Sequence, residues 1–253
     1  MITQGLFIQN SALSFAAYYG YIYYHHLGYL VWMLPAIILT VIAQSQVKSN
    51  YNKYSKIANA RGITGEAAAR MVLHAHGIVN VRIERVAGSL TDHYSPTENV
   101  IRLSEGVYSS ASIASVCIAA HEAGHAVQHA QGYLPNKIRS SIIPAANISS
   151  KLAVPIIFIG LILPTGISDT IIILGIVAYA LAILVYLVTL PVEFDASRRA
   201  LATIQSNYML ESYEYDGAKK VLAAAAMTYV ASALGALLSF LRLLLMVTGR
   251  RRD

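Results

Sequence analysis

The sequence predicts a mainly α-helical membrane protein, in which several transmembrane helices carry a compact α+β module built from a short sheet and a histidine-bearing helix. Three observations predict it. The 253 residues are 56% hydrophobic and only 13% charged, against about 25% charged in an ordinary soluble domain. The excess apolar residues gather into long runs without charge. Between those runs lies a polar stretch with alternating strand patterns and helix caps.

Residues 27–43 (LGYLVWMLPAIILTVIA) carry no charge over 17 positions, and 170–190 carry none over 21. A bilayer-crossing helix needs about 20 apolar residues, so both runs qualify. Residues 152–167 qualify marginally, as does 227–247, which Arg242 interrupts. No basic residue precedes the first run and no small-residue cleavage site follows it, so it reads as a retained anchor. Tyr18, Tyr19, Tyr21, Tyr23 and Tyr24 precede it and suit a membrane–water interface.

Residues 46–151 read as a soluble-facing module. Here 64–76 predict a helix capped by Thr64, with Glu66 in its first turn and Gly77 as its stop. Residues 79–86 predict a strand with Val79, Val81 and Ile83 on one face, and 99–103 predict a second. Residues 112–131 predict a helix of five turns. Residues 152–190 then supply two spans, 191–220 a second polar segment, and 221–253 a last apolar helix with a basic tail. The bias of Lys and Arg places the module in the cytoplasm, and two spans return 191–220 to the same side. The net charge of +6 flanks apolar spans, with no nucleic-acid motif beside it, so nucleic-acid binding is excluded. The one cysteine, Cys117, lies in an apolar helix and reads as a buried thiol.

The chemistry concentrates in HEAGH, 121–125. Helical residues four apart differ by about 40° around the axis. His121 and His125 therefore share a face and can hold one tetrahedral Zn2+ ion. Glu122 is turned by about 100° and is placed to take a proton from water rather than to ligate. His129 is about 12 Å from His121 by helical rise and cannot join the same ion. A third ligand must come from elsewhere. Glu193 in TLPVEFDASRRA (189–200) is the first candidate, with Pro191 at a helix start, and Asp195 is its rival.

Four separated stretches, LTDHYSPTENVIRLSEGVY (90–108), IAAHEAGHAVQHAQGYLP (118–135), TLPVEFDASRRAL (189–201) and VLAAAAMTYVASAL (221–234), together resemble the YugP-type family of neutral zinc metallopeptidases, multi-pass membrane proteins of bacteria. The wider plan is similar to the HtpX-type membrane proteases and the thermolysin-like gluzincins. The resemblance implies one zinc ion, with His121, His125 and Glu193 as ligands and Glu122 as the base. It implies protein or peptide substrates associated with the membrane, the bilayer itself as a partner, and a bacterial plasma-membrane location. It further places 90–96 near an edge strand that pairs with substrate, where His93 or Tyr94 would contact the substrate or an oxyanion. A turn built on Asp92 and Ser95–Pro96 is the plainer alternative. Many gluzincins place an aspartate four residues after the ligand glutamate, to orient a ligand histidine. Here that position is Ser197, a weaker partner for imidazole. Arg198, beside Arg199, would stabilise an oxyanion or anchor to lipid phosphates.

Two other functions compete with a protease at the membrane face. One is an intramembrane protease with its histidines inside a span, favoured by the apolar stretch 113–120. The other is a metal-holding membrane scaffold, which would not need Glu122. An ATP-driven protease is disfavoured, because no phosphate-binding GxxxxGK[ST] loop is present.

Overall fold

The computed structural model describes Gly28 and residues 31–164 and 167–250, with side chains up to 245. The predicted interfacial tyrosines of residues 1–25 lie outside the described residues, as does the end of the basic tail. The elements are α1 (Val31–Tyr54), α2 (Gly65–Ala75), β1 (Arg82–Val86), β2 (His93–Ser95), β3 (Val100–Ser104), α3 (Glu105–Tyr108), α4 (Ile113–Ala130), α5 (Leu134–Ile162), α6 (Ser168–Ser206) and α7 (Tyr215–Arg250).

Four of these, α1, α5, α6 and α7 as far as Leu245, are long and apolar enough to cross a membrane. Their outward faces carry exposed Val31, Ile38, Val41, Phe158, Ile162 and Val177, an apolar surface that lipid, not water, would cover. The chain is a mainly α membrane protein with a small sheet. Small residues draw the spans together. A Cβ on Gly175 would come within 2.4 Å of Ile157 and one on Gly160 within 2.7 Å of Ile172, so α5 and α6 touch where both lack side chains. The Ser168 hydroxyl donates to the Gly160 carbonyl at 2.7 Å across the same seam. Trp32 Nε1 donates to the Leu238 carbonyl at 2.9 Å, tying α1 to α7.

The module between α1 and α5 packs around α4. Its core includes Val72 and Leu73 of α2, Ile101 and Leu103 of β3, and Val116 and Val127 of α4, all nearly or fully inaccessible. Thr64 caps α2 by accepting from the Ala67 N–H, and Gly77 ends it at φ +68, where a side chain would strain. Ser112 caps α4 in the same way, accepting from the Ser115 N–H. The sheet has the order β1-β3-β2, with β1 parallel and β2 antiparallel to β3. β2 is therefore an edge strand, and Tyr94 stands opposite Ile101.

Three expectations change and one open alternative is decided. The first strand begins at Arg82, not Val79, because Val79 is 88% exposed and has no core to face. The 90–96 stretch holds the edge strand that the resemblance implied and not the turn: His93–Ser95 forms β2, held in place by Asp92, which accepts from the Ser104 N–H at 2.7 Å and the Ser104 hydroxyl at 3.1 Å. α5 starts at Leu134, well before the apolar run, so its first turns are polar. Pro191 does not start a helix. It lies inside α6, which runs unbroken for 39 residues. A proline removes one helical hydrogen bond, and in a membrane helix packed on both sides that loss is tolerated. α7 likewise continues through Arg242.

Candidate metal centre

His121 and His125 lie one turn apart on α4, their rings 4.7 Å apart between centroids and nearly perpendicular. α6 crosses α4 at Gly124, where an added Cβ would lie 2.8 Å from the Ala196 carbonyl oxygen. The glycine of HEAGH thus lets α6 approach closely enough for its side chains to reach the histidines. Glu193 does so: its Oε2 is 3.3 Å from His121 Nε2 and 3.5 Å from His125 Nε2. These three side chains are the group of ligand type that the described residues bring within 4.8 Å of one another.

Glu193 is 2% exposed, and its Oε2 is buried without a hydrogen-bond partner. An orphaned carboxylate oxygen facing two imidazole nitrogens is costly unless a cation sits among them. With ligand bonds of about 2.0–2.1 Å, the edge of a tetrahedron around zinc is about 3.3 Å. The two N···O separations match that edge. Two imidazoles and one carboxylate also form a donor set of the kind catalytic zinc takes, with a fourth position left for water or substrate.

The outer nitrogens of both rings are held. His125 Nδ1 lies 3.1 Å from Gln128 Oε1. The Gln128 amide nitrogen donates to the Val192 carbonyl at 2.8 Å and to Asp195 Oδ2 at 2.9 Å. The amide's donors are thus spent on α6, so its oxygen accepts the proton of His125 Nδ1, which leaves Nε2 with its lone pair toward Glu193. On the other ring, Ser197 Oγ is 3.2 Å from His121 Nδ1. Burial acts most strongly on His125 and disfavours its charge. The Glu193 carboxylate beside it, with Glu122 and Gln128, outweighs that and holds its pKa above the ordinary imidazole value. A metal must displace that proton to bind.

Glu122 turns away from the pair toward β2. Its Oε2 accepts the Tyr94 backbone N–H at 3.0 Å. This is the outward-facing N–H of the edge strand. The Tyr94 hydroxyl points elsewhere, donating to Asn99 at 3.1 Å and lying 2.8 Å from His129 Nδ1. Burial raises its pKa, so it stays neutral. Tyr94 thus enters the site through its main chain and not through its ring. His93 is exposed at the cleft mouth, with Nδ1 2.8 Å from the Thr91 carbonyl.

Two acidic and basic neighbours fall outside the cleft. Asp195 does not reach the histidines. It receives hydrogen bonds from Gln128, Arg198 and Arg199. Arg198 is paired to Asp195 with its side chain 76% exposed, and it lines a separate groove between α6 and α7. It is not among the residues that line the cleft. On a helix, three residues after Asp195 and five after Glu193, its side chain leaves on a different face from Glu193.

The cleft encloses about 310 Å³ between the β2 edge, α4 and the polar first turns of α5. Four lining residues of α5, Asn136, Arg139, Ser140 and Ile143, were not singled out from the sequence, and Tyr229 of α7 was quoted only as part of 221–234 with no role of its own. Arg139 Nη1 lies 3.3 Å from Glu193 Oε1. Gln128 was also missed, although its spacing three residues after His125 was a signal that it could reach that ring. Arg139 gave no such signal, since nothing local ties it to the motif.

Four helices apolar enough to cross a membrane, a small mixed sheet and a His–His–Glu group that could hold a metal ion, with Glu122 beside it, are the combination a membrane zinc metallopeptidase family would present. The family model described as "Putative neutral zinc metallopeptidase" matches residues 29–248, and the chain belongs to that family. It is 43% identical over 220 residues to a Bacillus subtilis (strain 168) protein named "Putative membrane protease YugP", an alignment covering 87% of this chain and 96% of that one. No solved structure matches the chain.

Proposed function

We propose that this protein is an integral-membrane zinc endopeptidase of the gluzincin type, which hydrolyses membrane-associated protein substrates at the cytoplasmic face of a bacterial plasma membrane. One observation carries the reading: the orphaned Glu193 Oε2 stands 3.3 and 3.5 Å from two imidazole Nε2 atoms whose other nitrogens are already engaged.

His121, His125 and Glu193 would hold one zinc ion. Bound there, zinc polarises a carbonyl and lowers the pKa of a water to about 7. Glu122 would take a proton from the attacking water on its carboxylate and deliver it to the leaving amine nitrogen. The Tyr94 N–H holds Glu122 Oε2 in position at 3.0 Å and keeps the carboxylate off the two imidazoles. β2 is an edge strand along which an extended substrate chain would lie, beside the Tyr94 N–H that Glu122 occupies. Ser197 and Gln128 keep Nε2 of each histidine turned inward.

The position of the motif favours the membrane face over the bilayer interior. α4 is not one of the four apolar helices, and it is packed in the α+β core. Glu122 disfavours a scaffold, which would need no base. The test is metal analysis of purified full-length protein, wild type beside Glu193→Ala, with a casein cleavage assay on each. About one zinc per chain and cleavage in the wild type, both lost in the variant, is the expected result. Cleavage that survives full removal of metal would overturn it.

A further inference from the structure

Two buried side-chain atoms without a hydrogen-bond partner are found among the described residues, and both line the same cleft: Glu193 Oε2 and Arg139 Nε. The first is an acceptor facing two imidazoles, and a cation answers it. The second is itself enclosed, but it belongs to a guanidinium that lines the cleft and keeps part of its surface open there. We propose that Arg139 is a catalytic residue, whose guanidinium donates a hydrogen bond to the oxygen of the scissile carbonyl as that oxygen gains negative charge. The proposal rests on the peptidase reading above.

Arg139 is not fully used by its protein neighbours. Nη1 meets Glu193 Oε1 at 3.3 Å, near the long limit for a hydrogen bond. Glu193 is shared with both histidines. The guanidinium is charged at any physiological pH, and its side chain keeps 27% exposure at the cleft. Asn136 and Ser140, one turn before it and one residue after it on α5, line the same wall. β2 and Glu122 line the same cleft. A peptide laid along β2 would therefore come beside α5.

In the reaction, the water oxygen bonds to the carbonyl carbon and the C=O π pair moves onto oxygen, while the proton goes to Glu122. The electron pair then returns, the C–N bond breaks, and the nitrogen takes the proton from Glu122. A fixed cationic donor beside the oxygen acts mainly when that charge is present, so it lowers the barrier more than it strengthens substrate binding. His93, Tyr94 and Arg198 supply no such charge to the cleft interior. His93 is exposed at the mouth, Tyr94 contributes a main-chain N–H already bonded to Glu122, and Arg198 lies in another groove.

The experiment compares zinc-loaded full-length wild type with Arg139→Met and Arg139→Lys. It reads zinc per chain, kcat and KM on a fluorogenic peptide, and the Kd of a phosphonate analogue of that peptide. It also reads the Kd of the parent peptide, measured in a Glu122→Gln background. For Arg139→Met, zinc and KM are expected to hold, while kcat falls about 100- to 1000-fold. Phosphonate binding should weaken far more than parent-peptide binding, and Arg139→Lys should recover part of both losses. Loss of zinc in step with activity would make Arg139 only a support for Glu193 and overturn the proposal. So would a rise in KM at constant kcat, or equal weakening of phosphonate and peptide. If Arg139→Met does not fold, Arg139→Lys decides by the same readings. Wild-type protein that carries zinc and cleaves nothing defeats the peptidase reading itself, a result distinct from every Arg139 outcome.

Discussion

His125 Nδ1 and Gln128 Oε1 are 3.1 Å apart, and the fully buried Gln128 spends its amide hydrogens on α6. One side chain therefore fixes the tautomer of a ligand and pins the ligand helix to the helix that brings Glu193. Replacing Gln128 with Ala should weaken zinc binding about 10- to 100-fold. Competition with a chromophoric chelator measures it, and unchanged affinity would show that His125 orients without help.

Glu122→Gln should keep zinc and lose cleavage. The amide can still sit near the Tyr94 N–H but cannot carry a proton between water and amine. A fall of about 10²–10⁴ in kcat is the expected size, read beside the zinc content of the same preparation.

Glu193→Ala should strip the metal, whereas Asp195→Ala should retain it. Asp195 touches the centre only through Gln128, and it also neutralises Arg198 and Arg199. Its loss should show as a lower Tm and a modest drop in zinc affinity. Elemental analysis of the two variants separates them, and the reverse pattern would move the third ligand to Asp195.

Gly124→Ala adds a methyl group 2.8 Å from the Ala196 carbonyl. Backbone cannot yield as a flexible side chain can, so α6 must move away from α4. A cost of about 1–3 kcal/mol is expected for such overpacking, with zinc lost as Glu193 retreats. Thermal melting and zinc analysis test both parts.

The cytoplasmic placement of the module can be checked by labelling. Cys117 is buried, and burial pushes its thiol pKa up, so it should not react. Val79→Cys places a thiol at a site 88% exposed in the module. A membrane-impermeant maleimide should label it in inverted vesicles and not in intact cells. Labelling of intact cells would reverse the orientation.

Much of the centre was legible because its information is local. The face shared by His121 and His125, the caps at Thr64 and Ser112, and the stop at Gly77 are all set by neighbours within a turn or two. Glu193 could be singled out from its segment but not separated from Asp195 by spacing, and Ser197 was named only through resemblance to a family, since no spacing rule connects residues about 70 apart. The places of Arg139 and Tyr229 in the cleft were not legible. Both residues come from helices whose angular placement depends on how the spans pack. β2 could not be read from alternation, because three residues are too short to show it, and only the resemblance pointed to an edge strand near 90–96; Asp92 secures it through a long-range bond. Pro191 misled for the opposite reason: its local preference for a helix start is overruled by packing along both neighbours of α6.

The unbroken course of α6 from its apolar stretch to Glu193 has a consequence for autonomy. Residues 46–151 contain the base and two imidazoles but not the acid, so severing the chain anywhere between α4 and Glu193 leaves an incomplete chelator. On the proposed reading, the protein would not be shed from its lipid as an active fragment, and a cut in the α5–α6 connection that let the halves part would silence it.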